Sequence, residues 1–290
     1  MDNPDLTNSI EPLELKHREQ LMQSLAPLGH GLSEYCFSNL YLFRKIHDYK
    51  ILRDKRIFIQ GKTYDDSSFL MPAFDLNGVS GTYLKHIIKD FDFFFPIHQT
   101  DLHYFDPNVF SFELNRDDSD YIFSTEKLKT YPGRNLSPKR NLAKQFADNT
   151  FHSSQPLTKT NKSDAMEVLQ DWLTDVSKPV DDTDYDPCHE ALKCMDSLGI
   201  FGHIYFSKEE PCGFVLAKEV LPKICVFHFA KGKRKFKGVF QFMFSHIANL
   251  YEDRFSFYNF EQDLGKPNFR KTKQSYYPDQ LLNKYRVRLK

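Results

Sequence analysis

The segment from Val239 to Tyr251 is apolar on almost every side, with Val239, Phe240, Phe242, Met243, Phe244 and Ile247 leaving little for water to solvate. A helix of that pattern has no solvent face and must be wrapped by other elements. Its flanks show what wraps it. Ile224 to Ala230 before it and Phe255 to Phe260 after it are rich in β-branched and aromatic residues, as strands are. Any fold for this half of the chain is therefore built around a strand, a buried helix and a second strand.

The surroundings extend this unit. Asn161 or Ser163 can cap a helix whose apolar positions Ala165, Val168, Leu169, Trp172, Leu173 and Val176 recur at helical spacing. After an acidic loop ended by Pro187, a second helix runs from about His189 to Leu198 and stops at Gly199. Strands follow at Ile200 to Ser207, Gly213 to Lys218 and Ile224 to Ala230, and a last strand is expected at Lys284 to Leu289. This order resembles the GNAT acyltransferase fold, in which a central strand and the following helix N-terminus bind an acyl carrier's phosphates. The implied class is α/β (α+β), a mixed central sheet flanked by helices.

The first half repeats the plan in element order, without a residue-level repeat. Helices are expected at Leu13 to Leu25 and Tyr35 to His47. Strands are expected at Tyr49 to Leu52, Arg56 to Gln60 and Phe69 to Phe74, then a helix at Thr82 to Phe91 and a strand at Phe93 to His98. Two tandem GNAT-like domains, 1–150 and 151–290, would join near Thr150 to Lys162, where His152-Ser153-Ser154-Gln155-Pro156 reads as a linker.

Composition narrows the function classes. Lys+Arg and Asp+Glu balance at 39 each, which argues against coating nucleic acid through bulk charge but leaves local basic patches open. No apolar run approaches the ~18 residues that span a bilayer. The five cysteines form no CxxC pair, so reduced thiols are expected and no metal site is assigned, Cys188-His189 and Cys194 included. The N-terminus carries Asp2, Asp5 and Glu11 rather than a basic-then-apolar leader, and a cytoplasmic location is expected.

Two stretches can carry chemistry. Lys231 to Gly238 holds Lys231, Lys233, Arg234, Lys235 and Lys237 and leads into the buried helix. Free N–H groups at a helix start favour phosphate, so Lys233, Arg234, Lys235, Lys237 and Gly238 are candidate phosphate-binding residues. Arg234 and Gly238 only approximate the Gly-x-Gly signature of a coenzyme A pyrophosphate loop. The second stretch runs from Asn259 to Pro278. Asn259, Glu261 and Asp263 alternate and would share one face while the strand continues. Glu261 and Asp263 are candidate proton acceptors, and Asn259 a substrate contact. Arg270 and Lys273 would share a helix face as a positive patch, and with Ser275 and Tyr276 they are candidate substrate-binding residues. The alternative is a purely structural join of strand and helix.

The motif Asn259-x-Glu261-x-Asp263-x-Gly265, then Arg270-x-x-Lys273-x-Ser275-Tyr276-x-Pro278 and Lys284-Tyr285, resembles the C-terminal domain of phosphatidylglycerol lysyltransferases and its stand-alone relatives. Ser33-Glu34-Tyr35 to Arg44, Gly133-Arg134, Lys139-Arg140-Asn141, Phe146 and His228 to Lys231 resemble further segments of that family, in order. The resemblance implies tandem GNAT-like domains and an acyl or aminoacyl transferase, since the full lysyltransferases move an aminoacyl group from charged tRNA to a lipid headgroup. It leaves two donors, aminoacyl-tRNA or acyl-CoA, and three acceptor classes: a small molecule, a peptide or a lipid headgroup. A non-catalytic GNAT-like binding module is the remaining alternative.

Overall fold

The computed structural model describes residues 9–28 and 30–290. The chain begins with β1 (Ser9–Pro12), α1 (Arg18–Leu25), α2 (Phe37–Phe43), β2 (Lys50–Arg53), β3 (Ile57–Lys62) and β4 (Ser68–Pro72). It continues with α3 (Gly81–Ile87), β5 (Phe93–His98), β6 (Phe110–Leu114), β7 (Asp120–Ser124), α4 (Thr125–Thr130), α5 (Ser137–Asn149) and β8 (His152–Pro156). Then come α6 (Lys162–Val176), α7 (Tyr185–Leu198), β9 (Phe201–Ser207), β10 (Glu210–Leu221), β11 (Lys223–Gly232), α8 (Val239–Leu250) and β12 (Phe255–Asn259). The last elements are α9 (Pro267–Gln274), β13 (Gln280–Leu282) and β14 (Lys284–Leu289).

The strands form two seven-stranded sheets in two compact units. The first unit comprises the chain up to Asp120, with Gln262–Phe269 and Leu281–Lys290. Its sheet runs β1-β2-β3-β4-β5-β14-β6. β2, β3 and β4 are an antiparallel meander, and β5 then lies parallel to β4, with Phe69 opposite Phe93. A parallel neighbour needs a crossover, and α3 supplies it. The core holds Phe58, Leu70, Leu84, Phe94, Phe105, Phe110 and Val287.

The second unit comprises Tyr121–Glu261 and Arg270–Gln280. Its sheet runs β13-β7-β12-β11-β10-β9-β8. β9, β10 and β11 are antiparallel, and β12 returns parallel to β11 after α8, with Val226 opposite Asn259. α8 buries Val239, Met243, Phe244, Ile247 and Ala248, as its all-round apolar pattern requires. Each unit thus has a meander, a helical crossover to one parallel strand and a closing antiparallel strand. This is an α/β architecture of two tandem GNAT-like domains.

Several placements differ from the sequence reading. Residues 121–150 belong to the second unit, because β7 pairs with β12 and α4 and α5 pack on α8, where Ser245 Oγ donates to Lys129 O at 2.7 Å. The polar stretch read as a linker is β8, an edge strand on β9 with His152 opposite Ser207. An edge strand tolerates Ser, Gln and a terminal Pro, which is why its composition imitates a loop. The last strand, β14, closes the first sheet between β5 and β6. α7 also starts four residues earlier than His189, since Pro187 is tolerated in the first turn, where its missing N–H has no partner to lose.

Candidate functional site

β12 ends at Asn259 while its parallel partner β11 continues to Gly232. Beyond Asn259 the chain stays beside β7, through Phe260 N–H to Tyr121 O (2.9 Å) and Tyr121 N–H to Glu261 O (3.3 Å). It then turns sharply, with Glu261 at φ 58 in the left-handed region. That conformation costs a non-glycine residue roughly 1–2 kcal/mol and persists where neighbours over-determine it. Two neighbours do so. The fully buried Asn259 accepts from Glu261 N–H through Oδ1 at 2.7 Å. Lys273, on α9, donates from Nζ to Phe260 O at 2.6 Å and Glu261 O at 3.1 Å.

The turn aims the Glu261 carboxylate back at β11. Its Oε1 lies 2.9 Å from Nδ1 of His228, whose side chain is wholly buried, while the Glu261 side chain keeps 14% of its surface. A carboxylate that accepts the Nδ1–H fixes the imidazole ring and its tautomer. The result is a carboxylate–imidazole pair at the end of a central strand, with the carboxylate in reach of solvent. Such a pair can take a proton from an attacking amine or hydroxyl. In the sequence His228 reads as a satisfied core histidine and as one member of a resembling segment; its partner emerges from the turn, not from any spacing.

The other predicted residues separate. Asp263 lies in the first unit with a fully buried side chain, paired with Arg116 Nη1 at 3.0 Å and accepting Gly265 N–H at 3.0 Å. The expected shared face of Asn259, Glu261 and Asp263 does not form, because the strand ends at Asn259 and the left-handed turn cancels the alternation. Asn259 shapes the turn, and Lys273 clamps its carbonyls instead of presenting a free cation. Arg270 is half-buried on the same helix as Lys273. Ser275 Oγ donates to Thr272 O at 2.6 Å and closes the end of α9. Tyr276 is a core residue, with its ring among Phe123, Tyr131, Phe244 and Phe260 and its hydroxyl accepting from Gln241 at 2.9 Å.

The basic loop borders a cavity of about 280 Å³ lined by Trp172, Val176, Phe236, Phe240 and Lys237, among others. Lys233 faces away from water, at 3% exposure, and meets Glu167 at 2.7 Å, Asp171 at 2.8 Å and Glu210 at 3.1 Å. Burial works against its charge, but the hydrogen bonds it donates to Asp171, Glu167 and Glu210 prevail and raise its hold on the proton. Lys235 pairs with Glu210 at 2.6 Å, which lowers the Glu210 carboxyl. Gly238, at φ 89, caps α8 where a Cβ would stand 2.1 Å from the carbonyl oxygen of Leu142. Its missing side chain therefore admits α5, not a phosphate.

The first unit contains a buried ionic cluster that the sequence reading did not assign. Lys284 Nζ, fully buried at the start of β14, donates to Asp120 Oδ1 (2.6 Å), Glu34 (2.7 Å) and Ser33 Oγ (3.1 Å). Asp120 also accepts from Ser33 N–H at 2.9 Å. Burial pushes Glu34 up to about 7 against the attraction of Lys284, with Asp120 adding to the rise. The only sequence signal was that Ser33-Glu34 and Lys284-Tyr285 both fell in segments resembling one family. No group of His, Cys, Asp and Glu among the described residues is arranged to hold a metal ion. No described helix is long and apolar enough to cross a membrane.

Known proteins share this chain's family and fold. The family model "Phosphatidylglycerol lysyltransferase, C-terminal" matches residues 25–288. No curated protein sequence matches the chain significantly. A conserved protein of unknown function from Bacteroides thetaiotaomicron VPI-5482 is 22% identical, with a TM-score of 0.83 over 98% of this chain and 100% of that one. L-PGS from Bacillus licheniformis is 12% identical, with a TM-score of 0.61 over 96% of this chain and 92% of that one. FemX is 8% identical, with a TM-score of 0.58 over 97% of both chains. At these identities the structures establish the shared fold.

Proposed function

We propose that this chain, which belongs to the phosphatidylglycerol lysyltransferase C-terminal family, transfers an activated aminoacyl or acyl group to an amine or hydroxyl. The observation that carries the reading is the Glu261–His228 pair at the end of β12, held by Asn259 and Lys273. A strained turn with several partners that delivers a solvent-reachable carboxylate to a buried imidazole is costly as mere architecture and apt for proton transfer.

The acceptor's amine or hydroxyl attacks the carbonyl carbon of the donor. A new N–C or O–C bond forms, and the bond to the leaving oxygen or sulfur breaks with its electron pair. Glu261 takes the acceptor's proton, and His228 holds the carboxylate in line. The leaving group then recovers a proton from the site or from water. Positioning and proton removal suffice, so no covalent enzyme intermediate is needed. Aminoacyl-tRNA is the favoured donor, on family membership. The acceptor lies among small amines, peptides and lipid headgroups, all of which present such a nucleophile.

The test supplies the purified chain with a panel of charged tRNAs and, separately, acyl-CoAs, each with an amine acceptor mixture at low salt. Donor consumption that depends on both protein and acceptor is expected. A chain that consumes neither donor class would overturn the reading.

A further inference from the structure

The loop that precedes α8 looks in sequence like an anion site, yet most of its lysines are already engaged. Glu167, Asp171 and Asp175 lie four residues apart on α6 and form a carboxylate ladder along one side of that helix. Glu167 and Asp171 take Lys233, and Asp175 Oδ2 accepts the backbone N–H of Arg234 at 2.7 Å. Glu210 takes Lys233 and Lys235, and Lys231 pairs with Asp184 at 2.5 Å. Several backbone N–H groups of the loop are also bound internally. Lys233 N donates to Cys212 O at 3.0 Å, Phe236 N to Lys233 O at 3.1 Å and Val239 N to Phe236 O at 3.2 Å. Gly238 is filled by the backbone of α5.

We infer that Glu167, Asp171 and Asp175 are specificity-determining residues, an intramolecular stand-in for a diphosphate that keeps pyrophosphate-bearing acyl donors out of this loop. An incoming diphosphate would meet carboxylates already paired with Lys231, Lys233 and Lys235, while Arg234 Nη1 donates to the Asp175 carbonyl oxygen at 3.4 Å and Lys237 makes no ion pair among the described residues. Like charges at such distances repel strongly at low ionic strength. The inference deepens the transferase reading by restricting its donor to one not gripped here by a pyrophosphate. It rests on that reading only for its meaning, since the test reads binding and not turnover.

The full-length chain and its E167Q/D171N/D175N variant are titrated calorimetrically with inorganic pyrophosphate and with coenzyme A at low salt. Little or no binding is expected for the native chain, and at least a tenfold gain in affinity for the variant. Adding Lys237→Met to the variant should reverse the gain and so place it at the loop. If the triple variant does not fold, Glu167→Gln and Asp171→Asn alone are each expected to gain about threefold. Tight binding by the native chain that Lys237→Met weakens would overturn the inference. So would a folded variant, triple or single, that gains nothing, or a gain that survives Lys237→Met. Each of these outcomes leaves the transferase reading to its own donor panel.

Discussion

Tyr276 has its ring packed among aromatic neighbours of the second unit and its hydroxyl on Gln241, with the Lys139 ammonium 4.1 Å from the ring centre. A motif residue placed this way is a packing residue, and its substitution should report on stability. Tyr276→Ala is expected to cost about 3–5 kcal/mol in chemical denaturation, as large-to-small core changes do. Tyr276→Phe loses one hydrogen bond and should cost no more than about 1.5 kcal/mol, with turnover unchanged. Glu261 is the contrasting case. It has an exposed edge, a left-handed backbone and a buried imidazole partner, so its replacement should move rate more than stability. Asp263 sits with the structural residues, because its carboxylate is fully buried against Arg116.

Among elements, α8 was the most legible, because an all-round apolar helix between two strands leaves a chain few ways to fold. The strand end after β12 was the least legible. Alternate spacing of Asn259, Glu261 and Asp263 carries meaning only while a strand lasts, and nothing in residue type announces that Asn259 will fold its own side chain back onto Glu261 N–H. The basic loop misleads for a related reason. Its cations are contiguous in sequence, whereas the carboxylates that answer them come from α6 and β10 and become visible only once those elements pack. Gly238 was read as an opening for phosphate and is instead an opening for Leu142. Gly238→Ala should therefore destabilise by more than about 1 kcal/mol, through both its left-handed backbone and the clash with α5. A lowered thermal midpoint in the purified variant would show this, and an unchanged midpoint would contradict the packing role.

At the scale of the molecule, the two sheets repeat one plan, yet each unit draws on separate stretches of the chain. That exchange of segments is why element order revealed the duplication while a cut at residue 150 missed the partition. The Lys284–Glu34–Asp120 cluster gives the first unit a pH signature. Because burial raises Glu34 from an ordinary 4.5 to about 7, the folded chain holds a proton that the unfolded chain releases. The stability this contributes is complete below pH ~4.5 and is lost as pH rises through about 7. Denaturation midpoints should fall across that window, and Glu34→Gln should flatten the fall. Lys284→Met should cost about 3–5 kcal/mol, since it leaves buried carboxylates unpaired. The claim that unites these scales is that the turn after β12 exists to present Glu261. Its most direct measurement is single-turnover transfer by Glu261→Gln, at saturating donor and acceptor, beside its thermal midpoint. The account predicts a rate lower by about 10²–10⁴ with the midpoint unchanged. A variant that transfers at the native rate, or that loses rate only in proportion to lost folding, would contradict it.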